Sequence, residues 1–136
     1  MTIDIRVIAP DGSTWEANAE EIILPSSTGQ LGILSGHAPL LTAIDIGVMR
    51  VRIGKNWTPI ILMGGFAEIE DNQLTIVVNG IEETIDIDLD QAKENLENAI
   101  QDLDSAESNK EKLELTQNLR KARARMQALT TVSLNS

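Results

Sequence analysis

Apolar and polar residues alternate in short runs over the first 80 residues of the chain. In the opening run, Ile3, Ile5 and Val7 point to one side and their polar neighbours to the other, which is typical of a strand with one buried face. A single antiparallel sheet would leave one apolar face in water, so the pattern predicts a two-layer β-sandwich. Further extended runs are predicted at 15–24, 48–53, 57–63, 66–70 and 74–78.

Three short segments predict how these strands connect. Residues 54–56 (Gly-Lys-Asn) and residues 71–72 (Asp-Asn) lie between strand patterns and predict hairpin turns. Gly64-Gly65 interrupts a strand pattern instead, which predicts a bulge or a close approach of two backbones.

The composition changes sharply after residue 80. All nine glycines and all four prolines lie before this point, and none follows it. We therefore predict two domains, a β-sandwich of residues 1–87 and a helix-loop-helix of residues 88–136.

The second domain is predicted to form an antiparallel helical hairpin. Asp88 and Gln91 have capping-box spacing, so Asp88 is the predicted N-cap of the first helix, and Ser108 with Glu111 begins the second. Each helix carries one apolar stripe that its partner helix can cover. The stripes are Ala92, Leu96, Ala99, Ile100, Leu103 and Ala106 in the first helix, and Leu115, Leu119, Ala122, Met126 and Leu129 in the second.

The stretch from Leu24 to Thr42 concentrates turn formers between short apolar pieces. It contains three glycines, two prolines and the only histidine. Its order predicts a strand, a turn, a second short strand and a tight loop that presents His37. A loop this apolar is expected to lie against the core or against a partner.

Catalytic and metal-binding roles for His37 are disfavoured. The chain has no second histidine and no cysteine, and no recognisable nucleophile–base set accompanies His37. A structural loop histidine and a contact residue remain the open interpretations, and we favour contact. The glycines of this stretch, at positions 29, 32 and 36, also lack the pattern and the lysine of a phosphate-binding loop.

Composition excludes several classes of function. The net charge is −10, which argues against general nucleic-acid binding and against docking on anionic lipid by charge alone. The absence of cysteine excludes disulfides and thiolate metal sites. The N-terminus lacks the pattern of a secretory signal, and no apolar run approaches the length of a membrane span.

Charge divides the two predicted helices. Residues 86–107 hold eight acids and one base, whereas residues 119–129 hold four bases and no acid. A solvated helix end explains such a basic run in ordinary terms. On a chain of −10, however, this local reversal also indicates a contact with an acidic partner surface.

Two segments, LPSSTGQLGILSGHAPLLTAIDIGVMRV (residues 24–51) and MGGFAEIEDNQLTIVVN (residues 63–79), resemble the ε subunit of the F-type ATP synthase. The chain is most similar to the cyanobacterial and plastid form. The resemblance spans essentially the whole chain, and it is most specific in residues 22–80.

This resemblance implies a flattened ten-stranded sandwich and a rotor subunit with no chemistry of its own. The sandwich would link the γ shaft to the ring of c subunits, so that proton-driven rotation reaches the catalytic sites. The protein would lie peripherally, through the complex, on a membrane that we expect to be the thylakoid. Contacts with γ and the c-ring are expected at Gly29, Leu31, Ile33, His37, Pro39 and Leu40.

The resemblance also implies a brake. In ATP synthases of this kind the C-terminal helices rise along the shaft and enter the α/β catalytic head, where the basic second helix meets an acidic segment and blocks ATP hydrolysis. The residues expected to make this contact are Arg120, Lys121, Arg123 and Arg125.

An ATP-binding motif of the family is only partly present. Many bacterial ε subunits carry Ile-Asp-x-x-Arg-Ala at the first helix and bind ATP. Ile87, Asp88 and Ala92 match this motif, but Gln91 stands in place of the arginine. The substitution removes a fixed positive charge that would meet a triphosphate. Lys121 and Arg125 fall where the second helix of the family supplies basic contacts, yet we expect ATP binding to be weak or absent, with no other cofactor.

Two alternative classes of function stay open on sequence grounds. An ATP-sensing module would bind ATP saturably through the Asp88 region and Arg125. A free-standing β-sandwich adaptor or small enzyme would be indifferent to γ.

Overall fold

A computed structural model describes residues 2–134 of the chain. Eight strands, one short 3-10 turn (Thr84–Asp86) and two α-helices make up this part of the protein. The strands are β1 (Ile3–Ile8), β2 (Thr14–Ala19), β3 (Glu21–Ser26), β4 (Gly29–Leu34), β5 (Leu40–Ile53), β6 (Asn56–Glu70), β7 (Gln73–Val78) and β8 (Ile81–Glu83). The helices are α1 (Leu89–Asp104) and α2 (Asn109–Leu134).

The strands form one hydrogen-bonded sheet in the order β2-β1-β7-β6-β5-β3-β4, with β8 also paired to β6. Strands β5 and β6 are 14 and 15 residues long and pair along most of their length. The first half of β6 pairs with β8, whereas the second half pairs with β7. The β5–β6 hairpin is therefore shared by both layers of a sandwich.

Two layers follow from this pairing. Layer 1 consists of β2, β1 and β7 with residues 40–44 and 65–70, and layer 2 consists of β4, β3 and β8 with residues 46–53 and 56–63. Each layer thus has five strand segments. The ten segments account for the ten-stranded sandwich implied by the resemblance, although they belong to eight separate strands within residues 2–134.

The main core fills the space between the layers. Ile3, Ile5 and Val7 are at most 3% exposed, as their alternation predicts, and they cluster with residues of layer 2 such as Ile22 and Leu62. The prediction of a two-layer sandwich is confirmed.

Close backbone approach explains the glycine pair in β6. A Cβ atom on Gly65 would lie 2.0 Å from the carbonyl oxygen of Val77, which no side chain tolerates. This confirms the predicted close approach. The pair also marks the point where the neighbour of β6 changes from β8 to β7, and we call this point, Gly64-Gly65, the β6 bend.

The helical hairpin begins at the predicted caps. The Asp88 side chain accepts a hydrogen bond from the Gln91 backbone N–H at 2.9 Å, and the Ser108 hydroxyl accepts one from the Glu111 N–H at 3.1 Å. The predicted division at residues 87/88 falls between the 3-10 turn and α1. Residues 135 and 136 of the predicted second domain lie outside the described residues.

Helix α2 lies between α1 and layer 2, with one side facing each. Leu119 and Ala122 pack against Ala99 of α1, and Ala124 and Ala128 pack against layer 2. The predicted stripes therefore meet as expected. Ile100 is an exception, because its side chain is 41% exposed. It follows Ala99 by about 100° around the helix and falls outside the narrow contact with α2.

Candidate functional site

A loop of residues 35–39 joins β4 to β5 and presents His37, as the sequence predicts. The His37 backbone N–H donates to the Leu34 carbonyl at 3.1 Å, and His37 Nδ1 donates to the Ala38 carbonyl at 2.6 Å. The imidazole is thus held by its own loop. No group of three His, Cys, Asp or Glu residues that could bind a metal ion occurs among residues 2–134.

The turn between β6 and β7 fixes this loop from the side. Asn72 Oδ1 accepts the backbone N–H of Gly36 at 2.7 Å, and the Asn72 carbonyl accepts the N–H of Asp4. Gly36 has a φ of +88°, which glycine adopts without steric cost. Asn72 therefore connects the loop, the β6–β7 turn and the beginning of β1.

The predicted contact residues of this region differ in accessibility. Gly29 and Pro39 are exposed, Leu40 is 37% exposed, and Leu31 and His37 are half-buried. Ile33 is 1% exposed and belongs to the main core. β4 turns that face of the strand inwards, so this side chain is not accessible on the surface of the sandwich, and the expected contacts of this region stay predictions.

The outer face of layer 1, which is polar at positions such as Glu68 and Thr75, carries an apolar patch that sequence reasoning missed. Phe66 is 62% exposed and Val77 is 54% exposed, and the two are direct cross-strand partners. Leu41, on the same face of β5, is 67% exposed. Val77 carried a detectable signal, because it breaks the alternation of β7 by placing an apolar residue between Ile76 and Val78. We call Leu41, Phe66 and Val77 the open face.

Layer 2 has an outer face that α2 covers. Val48 and Ile61 are at most 5% exposed, and they cluster with Ala124 and Ala128 of α2. Met63 and Ile87 pack at the margin of this cluster. The continuous apolar run of residues 59–63 is explained by this cover, because a strand buried on both faces does not alternate. We call the contact of Ala124 and Ala128 with layer 2 the alanine seam.

One ion pair connects α2 to the sandwich beside the alanine seam. Arg125 donates from Nε and Nη2 to the Glu82 carboxylate, with distances of 3.0–3.2 Å. Glu82 pairs with Ile61 across β8 and β6, which places its side chain on the face that α2 covers.

The other three bases of the basic run lie away from the seam. Arg120 and Arg123 are exposed, and Lys121 is half-buried. Arg120 and Lys121 line a groove of about 740 Å³ beside the β6 bend, whose far side includes Phe66 and Val77. The basic run thus adjoins the open face.

The residues predicted for nucleotide binding do not share one cavity. Lys121 and Arg125 line a groove of about 370 Å³ between the helices, together with Asp102 and other polar residues. Ile87, Asp88 and Gln91 are not among the residues that line it. Asp88 caps α1, Gln91 Nε2 donates to Asn95 Oδ1 at 2.9 Å, and Arg125 is paired with Glu82. The hypothesis that ATP binding is weak or absent stays a prediction.

Family models match both parts of the chain. The model described as "ATP synthase, Delta/Epsilon chain, beta-sandwich domain" matches residues 2–84, and the one described as "ATP synthase, Delta/Epsilon chain, long alpha-helix domain" matches residues 86–130. The chain therefore belongs to the delta/epsilon chain family of ATP synthase.

Relatives within the family are more specific. An "ATP synthase epsilon chain, chloroplastic" from Porphyra purpurea is 68% identical, over 98% of this chain and 99% of the relative. An "ATP synthase epsilon chain" from Cyanothece sp. is 57% identical, over 94% and 95%. The chain thus groups with the epsilon chains, which are non-catalytic subunits of the complex. The chloroplast and cyanobacterial relatives indicate a photosynthetic membrane. Among the described residues, no helix is long and apolar enough to cross a bilayer.

Solved structures share the fold at low identity. A chain in the Euglena gracilis mitochondrial ATP synthase, a structure of OSCP, F1 and the c-ring, superposes with a TM-score of 0.81 at 20% identity, covering 94% of this chain and 81% of that one. A chain in the Tetrahymena thermophila central stalk and c-ring gives 0.65 at 17% identity, covering 94% and 96%. The sandwich with two C-terminal helices is therefore a known architecture.

Proposed function

We propose that this chain links the γ shaft to the c-ring in the central stalk of an ATP synthase of the thylakoid membrane, and that α2 leaves the sandwich to stop ATP hydrolysis. One observation carries the proposal. The outer face of layer 1 carries an uncovered apolar patch, the open face, whereas the apolar part of the outer face of layer 2 is covered by α2 through the alanine seam.

The open face is the proposed contact with γ. An exposed cluster of Leu41, Phe66 and Val77 is unusual for a subunit surrounded by water and is typical of a protein interface. Aromatic residues at the centre of an interface often dominate its binding energy. The 35–39 loop with Leu40 is the proposed contact with the c-ring, because Asn72 holds it in one conformation.

The alanine seam makes the brake physically reasonable. A buried CH₂ group contributes about 0.8 kcal/mol, so the single methyl groups of Ala124 and Ala128 hold α2 less strongly than leucine or isoleucine side chains would, each of which contributes about 1.5–3 kcal/mol when buried. The Glu82–Arg125 pair is about one third exposed and adds about 1 kcal/mol at most after solvent screening. Contacts of this size permit a helix to exchange between docked and released states, which a few kcal/mol must separate.

Released α2 would carry its bases to the catalytic head. Four bases lie within six residues of α2, and no acid lies between residues 119 and 129. We propose that they meet an acidic surface of the α/β head, as the inhibited state requires.

Reconstitution tests both parts of this proposal. The full chain is added to an epsilon-depleted catalytic complex that contains γ, and co-elution and ATP hydrolysis are measured. Replacing Arg120, Lys121, Arg123 and Arg125 with alanine is expected to relieve inhibition and to leave co-elution unchanged.

A second variant tests whether the loss of bases elsewhere on α2 also relieves inhibition. Lys110→Ala with Lys112→Ala removes two exposed bases from the first turn of α2, outside the basic run, and is expected to inhibit like the natural chain. Unchanged inhibition by the fourfold variant would contradict the brake. Failure of the natural chain to co-elute would contradict the stalk assignment.

Titration with ATP separates a brake from a nucleotide sensor. We expect no saturable heat at micromolar ATP, since Gln91 supplies no charge and Arg125 is engaged by Glu82. A micromolar complex in isothermal titration would favour the sensor.

A further inference from the structure

The ion pair between Glu82 and Arg125 joins two parts of the chain that the proposed function requires to separate. Within residues 2–134 it is the one ion pair that connects the sandwich to the helices, because the pairs Arg6–Glu16 and Arg52–Glu21 lie within the sandwich. Three donor–acceptor distances between Glu82 and Arg125 lie at 3.0–3.2 Å.

The geometry of the pair fixes the position of α2. Nε and Nη2 of Arg125 reach both oxygens of the Glu82 carboxylate, so the planar guanidinium is held at two points. Arg125 follows Ala124, which is buried in the alanine seam, and Glu82 lies beside Ile61 on the opposing strand. The alanine seam offers only small side chains to set the register of α2, whereas the two-point pair is directional and favours one register.

Arg125 is also a member of the basic run. Glu82 engages Nε and Nη2 of Arg125, whose side chain is 27% exposed, so a second carboxylate must displace Glu82 to reach these two donors. Its neighbours Arg120 and Arg123 are exposed. This directional contact between α2 and the sandwich therefore uses the same side chain that the proposed contact with the catalytic head needs.

We infer that Glu82 is an internal competitor for Arg125: it holds α2 on layer 2 and so sets the fraction of chains whose basic run reaches an acidic partner surface. The inference rests on the proposed brake. Release of α2 then exchanges one carboxylate partner of Arg125 for another, so that neither state leaves the guanidinium without an acceptor.

Substitutions at the two positions have different predicted effects on docking and inhibition. Glu82→Gln keeps the shape and removes the charge, so we expect the released fraction to rise roughly fivefold and inhibition to strengthen. Arg125→Gln is expected to release α2 by a similar factor without strengthening inhibition, because it also loses the contact with the head. The exchange Glu82→Arg with Arg125→Glu is expected to restore docking towards the natural level.

Docking is measured separately from inhibition. The chain has no cysteine, so Lys55→Cys in the β5–β6 turn and Gln127→Cys on the exposed side of α2 provide the two labelling sites for a distance measurement. Added salt is expected to lower the docked fraction of the natural sequence and to have little effect on that of Glu82→Gln. Glu83→Gln, at the adjacent exposed position, is the matched control and is expected to change neither readout.

The outcomes distinguish the ion pair from the brake. An unchanged label distance in Glu82→Gln would overturn the competitor role. The role would also be overturned if α2 is released in the charge-exchange variant to the same extent as in the single variants. If Glu82→Gln releases α2 and no version of the chain inhibits, the competitor role as a docking contact stands and the proposed brake fails.

Discussion

The outer faces of the two sandwich layers differ although each layer has five strand segments. In layer 2, Val48 and Ile61 are buried under α2. In layer 1, Phe66 and Val77 are more than half exposed. In layer 2 the protein thus covers an apolar surface with one of its own elements, α2. The open face is an apolar patch among polar neighbours such as Glu68 and Thr75, and no element within residues 2–134 covers it, which favours a partner in the complex.

The layers meet at the β6 bend, so the largest effect is expected there. Gly65→Ala would place a Cβ atom 2.0 Å from the Val77 carbonyl oxygen, and we expect the loss of more than about 3 kcal/mol of the free energy of unfolding. Urea unfolding measures this loss. Gly32→Ala is the control, because nothing lies within 4 Å of its Cβ position, and it is expected to unfold at nearly the same denaturant concentration. Equal stability of the two variants would contradict the account of the bend.

A matched pair of substitutions compares the two faces directly. Ile61→Ala removes a fully buried side chain and should lower the free energy of unfolding by roughly 2–5 kcal/mol, while binding to the γ-containing complex stays nearly unchanged. Phe66→Ala should have the reverse effect, with little change in stability and roughly 30-fold weaker binding, which corresponds to about 2 kcal/mol. Thermal unfolding and co-elution at several concentrations check both. If Phe66→Ala binds the γ-containing complex as tightly as the natural chain, the open face is not part of the γ interface.

The cover on layer 2 is tested by overpacking its seam. Ala128 is 0% exposed, so Ala128→Leu should push α2 away from the sheet at a cost of about 1–3 kcal/mol. We expect faster amide exchange in α2 and stronger inhibition of ATP hydrolysis. Gln127→Leu adds a leucine at the adjacent exposed position and serves as the control. Tighter packing of α2 in Ala128→Leu would show that the seam has unfilled space.

A smaller effect is expected at the loop beside layer 1. Asn72→Gly removes the acceptor of the Gly36 N–H and accommodates the φ of +61° at this turn position, and we expect a loss of about 1 kcal/mol, confined to the loop. Amide exchange of Gly36 should accelerate while exchange in β7 stays slow. Weaker binding to the c-ring with unchanged binding to γ would assign the loop to the ring. Slow exchange at Gly36 in this variant would contradict the role of Asn72.

The sequence determined most of the local structure. Alternation in the first 80 residues is enough to predict two apolar faces that meet, and the glycine pair, both helix caps and the facing stripes follow from local chemistry. The sequence of residues 22–80 was also specific enough to identify the family. Such features depend on neighbours in sequence or on one period of a strand or helix, which a single chain displays directly.

Tertiary structure alone decided which surfaces remain available. Alternation does not distinguish a face in water from a face under a helix, so the sequence placed Ile33 among contact residues and passed over Phe66. It also did not bring Glu82 to Arg125, because 43 residues separate them and only the docking of α2 on β6 and β8 sets their distance. The availability of a surface depends on the three-dimensional arrangement of distant segments, and no local pattern records that arrangement.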